Sequence, residues 1–224
     1  MKPSASASVD ALLMLGARRS TRLRRRFVRQ FHRPSGLFGR VVGRVMATRS
    51  SNVQRNRWAI DQLAVRPTDR VLEIGFGPGI AIEALVARAT EGAVHGIDHS
   101  EVMVRMAARR NARALAEGRL RLTQAGVADV DEALAPLDLI LAVNNLGMWP
   151  DPPTQLKHLE RLLSPGGRIA VGQQPRTPGA DAATARRAGD EVADLLTEIG
   201  LGHIETRQLD LDPPMVLVVG TRTG

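Results

Sequence analysis

From residue 70 onward the apolar positions fall into short blocks that alternate between two kinds of spacing. Arg70–Ile74, Ala93–Ile97, Leu120–Thr123, Leu137–Val143 and Arg168–Gln173 are compact apolar runs of strand length. Between them, Ile80–Ala89, Glu101–Ala116 and Gln155–Leu163 repeat apolar residues at helical spacing, with a short helical piece near Asp129–Leu134. Ser164-Pro-Gly-Gly167 predicts a turn between the last of these helices and the fifth strand. A long helix is expected over Ala183–Ile199, followed by strands at His203–Leu209 and Met215–Val219. The Asp-Pro-Pro turn between that last pair is too short for a parallel crossover, which needs about a dozen residues, so the pair is antiparallel. Alternating strands and helices predict an α/β domain over residues 67–224, with a mostly parallel sheet of seven strands and helices on both faces.

Upstream the pattern changes. Residues 1–9 alternate Ser and Ala and read as disordered, and residues 10–33 as a basic amphipathic helix with Leu12, Leu15, Leu23, Phe27 and Phe31 as its apolar members. Pro34-Ser-Gly36 breaks the chain. Residues 37–48 carry Val41, Val42, Val45 and Met46 at helical spacing, and Asn52 is a candidate cap for a helix that places Trp58, Ile60, Leu63 and Ala64 on one side. The chain thus divides into an arm (1–36), N-terminal helices expected to cap the site (37–66) and the α/β domain.

Charge sharpens that division. Residues 1–60 hold thirteen Arg, one Lys and a single acid, Asp10, whereas residues 61–224 hold seventeen basic and twenty-two acidic residues. A mildly acidic domain carries a strongly basic arm, and the net +8 of the whole chain hides the contrast. No run approaches the roughly 20 apolar residues of a membrane span. The Arg cluster follows rather than precedes Ala11–Ala17, the wrong order for a secretory signal, although the acid-poor start is similar to an organellar transit peptide. The absence of Cys removes disulfides, thiolate metal sites and cysteine nucleophiles from consideration and fits a reducing, cytoplasmic location.

The segment richest in chemical information is Val71-Leu-Glu-Ile-Gly-Phe-Gly-Pro-Gly-Ile80. A strand runs into Gly75, Gly77 and Gly79, and a helix begins directly after them, so the backbone can turn sharply and meet a ligand at the helix N-terminus. A dinucleotide fingerprint would place its third glycine at residue 80, and Glu73 lies two residues before the first glycine, where it would repel a pyrophosphate. Both departures suit a cationic ligand. Asp98 ends the second strand about twenty residues further on, where an acid can accept both hydroxyls of a ribose.

This segment resembles motif I of the class I S-adenosylmethionine-dependent methyltransferases, and the order of motifs over about residues 50–220 is similar to the small ubiquinone/menaquinone C-methyltransferase type. The resemblance implies a Rossmann-like sheet and S-adenosyl-L-methionine as cofactor. It assigns the loop Glu73, Gly75, Phe76, Gly77 and Gly79 to the cofactor and Asp98 to its ribose. His99 falls near the adenine, with an ordinary surface histidine as the other reading. The third strand departs from the pattern: Thr123-Gln-Ala-Gly-Val-Ala128 lacks the usual acid, which leaves the amides of Gly126 and Val127 to meet the adenine and Asp129 to replace the acid. Leu163-Ser-Pro-Gly-Gly-Arg-Ile169 is similar to the family's turn into its fifth strand.

Methyl transfer from a sulfonium needs alignment and exclusion of water, and needs a base only when the nucleophile arrives protonated. The end of the fourth strand, Asn144-Asn-Leu-Gly-Met-Trp-Pro-Asp151, faces the reacting position in this fold. Asn144 and Asn145 are expected at the cofactor's methionine end and the pocket floor, with Asn145 and Trp149 as catalytic candidates, Trp149 as a substrate wall or core anchor, and Gln173 and Gln174 on the polar rim. Asp151-Pro-Pro-Thr154 lacks the aromatic residue of amine-methylating sites and reads as a helix start. His32, His95, His158 and His203 show no metal spacing. The expected acceptor is a small molecule or a lipid, with the Arg-rich arm against an anionic membrane surface. Nucleic acid is the weaker alternative for the arm, which would make an RNA-directed enzyme. A silent S-adenosylmethionine-binding regulatory subunit is the rival from another class, and an NAD-dependent oxidoreductase a distant third.

Overall fold

A computed structural model of the chain describes residues 50–177 and 179–224, and the readings made above for residues 1–49 lie outside that range. The elements run α1 (Ser50–Asp61), β1 (Arg70–Ile74), α2 (Ile80–Arg88), β2 (Ala93–Asp98), α3 (Glu101–Arg110), α4 (Ala112–Ala116), β3 (Leu120–Gln124), β4 (Leu137–Val143), α5 (Pro152–Arg161), β5 (Leu163–Gln173), α6 (Ala182–Glu198), β6 (Gly202–Leu209) and β7 (Met215–Thr221). They form one sheet of seven strands in the order β3-β2-β1-β4-β5-β7-β6. β7 is antiparallel to both of its neighbours and the other ladders are parallel. The expected architecture and the antiparallel final pair are both present.

Period-two alternation in the strands sorts the core into two layers. Val71, Leu139, Leu141, Ala170 and Leu217 face one side, where Ala59, Ile60 and Leu63 of the α1 region, α2 and Val102, Met103 and Ala107 of α3 cover them. Leu72, Ile74, Ile140, Ala142, Val171 and Val218 face the other, under Leu156 and Leu159 of α5 and Val192 and Leu196 of α6. Ile60 and Leu63 are at most 1% exposed, each contributing about 2 kcal/mol by burial, so the α1 region is an integral layer of the domain.

Five local readings change. Asn52 lies inside α1 rather than capping it, and its carbonyl oxygen accepts from the Asn56 side chain at 2.8 Å. Ala64 is exposed in the turn after α1, with a φ of 43°. The expected helix Glu101–Ala116 breaks at Asn111, whose side chain turns back to bond the Ala107 carbonyl. The helix expected at Gln155–Leu163 spans Pro152–Arg161, because Asp151 accepts from the Thr154 amide and Pro152 suits the first helical turn. Ser164-Pro-Gly-Gly167 is then a bulge within β5: the pairing jumps from Leu137–Leu163 to Leu139–Arg168, and the Gly166 and Arg222 amides close it against the final residues.

Candidate cofactor and methyl-transfer site

The strand order reverses between β1 and β4, which opens a crevice at the carboxyl ends of the parallel strands, where α/β folds bind ligands. The glycine loop fills one side of it. Gly75, Gly77 and Gly79 have φ values of 66°, 55° and 79°, a region that side chains other than glycine's enter only with strain. Nothing lies within 4 Å of where a Cβ on Gly77 would sit, so this backbone is open to a ligand. At Gly79 a Cβ would lie 2.7 Å from the Ala107 Cβ, which explains the third glycine by helix packing. The Phe76 side chain is 4% exposed and packs against Gly96 in the core, leaving its backbone for the loop.

Asp98, at the end of β2, is tied to the loop. Its Oδ2 accepts from the Gly77 amide at 2.9 Å and its Oδ1 from the Ser100 amide at 2.8 Å. Each carboxylate oxygen can accept more than one hydrogen bond, so the carboxylate is positioned yet able to take ribose hydroxyls. Burial pushes the Asp98 carboxyl upward, while the amides of Ser100 and Gly77 and the nearby His99 pull it back.

Glu73 is the most unusual group. It is 2% exposed, and its Oε2 has no hydrogen-bond partner among the described residues. Burial first, and the neighbouring Asp98 second, push its carboxyl up to about 8. An unsatisfied buried carboxyl costs about 1–3 kcal/mol or more, a cost that a cationic ligand would offset. The residues present therefore fit S-adenosylmethionine better than a dinucleotide, as the sequence suggested.

The opposite wall comes from β4. Asn145 is 5% exposed; its Nδ2 donates to the Ile74 carbonyl at the end of β1, and its Oδ1 accepts from the Trp149 indole at 3.1 Å. A Cβ on Gly75 would collide with that same amide, so the first glycine makes room for Asn145. Trp149 is 9% exposed and packs with the core cluster that contains Leu156 and Val127. The two catalytic candidates thus form one buried brace across the switch point. Asn144 has a φ of 56°; its Oδ1 accepts from the Gln174 amide at 2.7 Å, and its buried Nδ2 lacks a partner among the described residues.

The adenine end is less committed. His99 is half-buried and its carbonyl accepts from Gln124. The Gly126 amide already donates to Asp129 Oδ2 at 3.2 Å, which uses the exposed Asp129 as a cap for the turn at Val127–Asp129. Val127 is buried at 7% exposure. The described residues contain no cluster of His, Cys, Asp or Glu able to hold a metal, and no helix among them is long and apolar enough to cross a membrane.

Three contributors escaped the sequence reading. Asn111 donates to the Gly79 carbonyl at 3.3 Å and Arg110 to that of Pro78 at 3.1 Å, so the α3–α4 break buttresses the loop. The signal was an Asn inside an otherwise regular helical pattern. Arg55 of α1, 3% exposed, donates to the Gln174 side chain at 2.6 Å and to Asn52, which brings a cation to the carboxyl ends of β4 and β5.

A family described as a methyltransferase domain matches residues 71–167, from the first strand to the bulge of β5. An uncharacterized methyltransferase of Bacillus subtilis (strain 168), YdaC, is 30% identical over 175 residues, covering 78% of this chain and 93% of that protein. The chain belongs to the class I S-adenosylmethionine-dependent methyltransferases. Two further relatives of this methyltransferase align over about half of each partner. A trans-aconitate 2-methyltransferase of Methylobacterium nodulans is 39% identical over 126 residues, 53% of this chain and 44% of that protein. A ubiquinone/menaquinone biosynthesis C-methyltransferase of Geotalea daltonii is 28% identical over 116 residues, 51% and 49% respectively. Among solved structures, a SAM dependent methyltransferase from Aquifex aeolicus superposes with a TM-score of 0.60 at 19% identity, over 77% of this chain and 93% of that one, a likeness of fold.

Proposed function

We propose that this methyltransferase acts on a small-molecule or lipid-like acceptor, with the glycine loop, Glu73 and Asp98 holding the cofactor and the Asn144–Asn145 end of β4 forming the floor beneath the acceptor. The observation that carries this reading is the charge division of the switch-point crevice. Two buried carboxyls, Glu73 and Asp98, stand on the cofactor side, and side-chain amides, Asn144, Asn145 and Gln174, on the other. S-adenosylmethionine supplies a methyl group on a cationic sulfur, and the protein's own tasks are to hold the ribose at Asp98, to balance charge at Glu73 and to keep the loop and β4 in register through Asn145. His99, Gly126 and Val127 line the adenine end, where the Asp129 cap of the Gly126 amide leaves the Val127 backbone as the nearer contact.

The names of the partial relatives, an organic acid and a quinone methyltransferase among them, support a small acceptor over a nucleic acid. The basic arm adds a location. Eight Arg within residues 1–36 suit an anionic lipid surface, where each cation near the membrane adds about 1 kcal/mol, and a peripheral position in the cytoplasm would bring the site to lipid-like acceptors. Sedimentation of the full chain with phosphatidylglycerol vesicles, but not with phosphatidylcholine vesicles, is the expected result, and equal binding to both would remove this part.

Calorimetric titration with S-adenosylhomocysteine tests the core of the reading. Binding by the wild type, loss of at least tenfold in affinity for Asp98→Ala, and no binding of NAD are expected. Folded protein that ignores S-adenosylhomocysteine would overturn it. Binding without turnover on any acceptor would favour the regulatory-subunit reading instead.

A further inference from the structure

We propose that Arg110 and Asn111 are positioning residues for cofactor binding, and that α3 is the strut that holds the glycine loop and Asp98 in one fixed relation; the inference rests on the cofactor reading of the switch-point crevice.

A loop built from Gly75, Gly77 and Gly79, all at positive φ, has little of its own to keep its shape. Glycine has the widest backbone freedom of any residue, so such a loop must be held from outside if it is to meet a ligand ready-made. Within the loop, the Gly79 amide donates to the Phe76 carbonyl at 3.1 Å. From outside, Asp98 takes the Gly77 amide, and the end of α3 takes the next two carbonyls. Arg110 Nε donates to the Pro78 carbonyl at 3.1 Å. Asn111 Nδ2 donates to the Gly79 carbonyl at 3.3 Å, beside the 3.2 Å bond from the Glu83 amide. A peptide unit is planar, so fixing these two carbonyls also fixes the directions of the Gly79 and Ile80 amides.

The other end of α3 holds the acid. Ser100 caps the first turn by accepting from the Met103 amide, and its own amide donates to Asp98 Oδ1 at 2.8 Å. The contacts close a ring. It runs from Asp98 to Ser100, along α3 to Arg110 and Asn111, across to Pro78 and Gly79, and from the Gly77 amide back to Asp98 Oδ2. The loop and the acid that would take the ribose therefore move as one unit. The side chains chosen for this end of α3 suit that task better than they suit the helix. Arg110 puts a cation beside the start of α2, the positive end of a helix dipole, and beside a site for a cationic ligand. Glu83, 3.4 Å away, offsets part of that charge and leaves the Nε–H on the loop. Asn111 is 6% exposed and ends α3 where Ala would continue the helix, and its side chain bonds the Ala107 and Gly79 carbonyls.

The test separates positioning from mere stability. Full-length wild type, Arg110→Gln, Arg110→Lys and Asn111→Asp are titrated with S-adenosylhomocysteine by calorimetry, with urea unfolding in parallel. Val192→Ala, a cavity under α6 in the other layer, is the control for stability alone. Amide hydrogen exchange at Gly77 and Gly79 is followed by NMR in free and loaded protein. Arg110→Gln should weaken S-adenosylhomocysteine about fivefold or more, with Arg110→Lys between it and the wild type. Asn111→Asp should weaken it about tenfold or more, because a carboxylate then faces the Gly79 carbonyl. Exchange of the loop amides should rise about tenfold in the free variants and return close to the wild-type rate on saturation with ligand. Val192→Ala should lose stability and keep its affinity within about twofold. Arg110 lies at the surface, so Arg110→Gln carries the test if Asn111→Asp does not fold. Affinity of Arg110→Gln within about twofold of the wild type, unchanged loop exchange, or a Val192→Ala loss of affinity equal to that of Arg110→Gln would each overturn the proposal. Folded wild-type protein that fails to bind S-adenosylhomocysteine would instead sink the cofactor reading beneath it, so the two failures are distinguishable.

Discussion

Replacing Glu73 by Gln should reshape the pH dependence of stability, because the native state holds this carboxyl where its charge is poorly tolerated. The group titrates near 4.5 in an unfolded chain and near 8 in the fold, with burial the main cause and Asp98 the second. Between those values the native protein binds a proton that the unfolded chain does not, so stability must fall as pH rises through the window and level off above it. At about 1.4 kcal/mol per tenfold change in affinity, the full window corresponds to about 5 kcal/mol. Gln has the same shape and no charge to desolvate, so the variant should lose this part of the slope. Urea unfolding of both proteins at about pH 5 and about pH 9 measures it, and groups common to both cancel in the difference. The pair should be nearly equally stable at the acid end, with Glu73→Gln ahead by several kcal/mol at the alkaline end. The same carboxyl should release a proton when it meets a cationic cofactor near neutral pH. Heats of S-adenosylmethionine binding should therefore differ between phosphate and Tris for the wild type, and coincide for the variant. Parallel stability curves, differing by under about 1 kcal/mol at every pH, would refute the account of Glu73 as a buried group lacking a counter-charge.

The glycine loop offers a contrast between packing and ligand access. Gly79→Ala places a Cβ 2.7 Å from the Cβ of Ala107 and 2.9 Å from its Cα, so α2 must shift from α3; a stability loss of about 2 kcal/mol or more in urea unfolding is expected. Gly77→Ala meets nothing within 4 Å and should cost only about 1 kcal/mol of backbone strain, yet weaken S-adenosylhomocysteine at least tenfold by calorimetry. Equal effects of the two substitutions on stability would contradict that division. Asn145→Ala strands both the Ile74 carbonyl and the Trp149 indole, and a loss of about 3 kcal/mol is expected, against under about 1 kcal/mol if the brace is idle.

Much of this protein can be read along the chain, because its signals are local. The order of strands and helices follows from apolar spacing, and the antiparallel β7 from a turn too short to cross the sheet. The glycine loop and its two acids are specified by residue type and separation, since a ligand-facing turn needs glycine and a ribose needs an acceptor at the next strand end. The boundaries at the β5 bulge and at Asn111 were missed because a bulge and a helix break are decided by partners far away in sequence, the residues around Arg222 and the Gly79 carbonyl.

What only the tertiary structure decided is how the pieces meet. Asn145 and Trp149 look alike as candidates in sequence, but folding turns them toward each other and toward Ile74 as a buried brace. Glu73 is merely an acid near a loop until the layers of the sheet close over it and remove the water that would keep it ionised. Arg55 is one of thirteen arginines in the basic N-terminal region until α1 packs on the sheet and carries that one to Gln174. Composition gives each arginine the same charge, and only burial against a partner distant in sequence sets Arg55 apart.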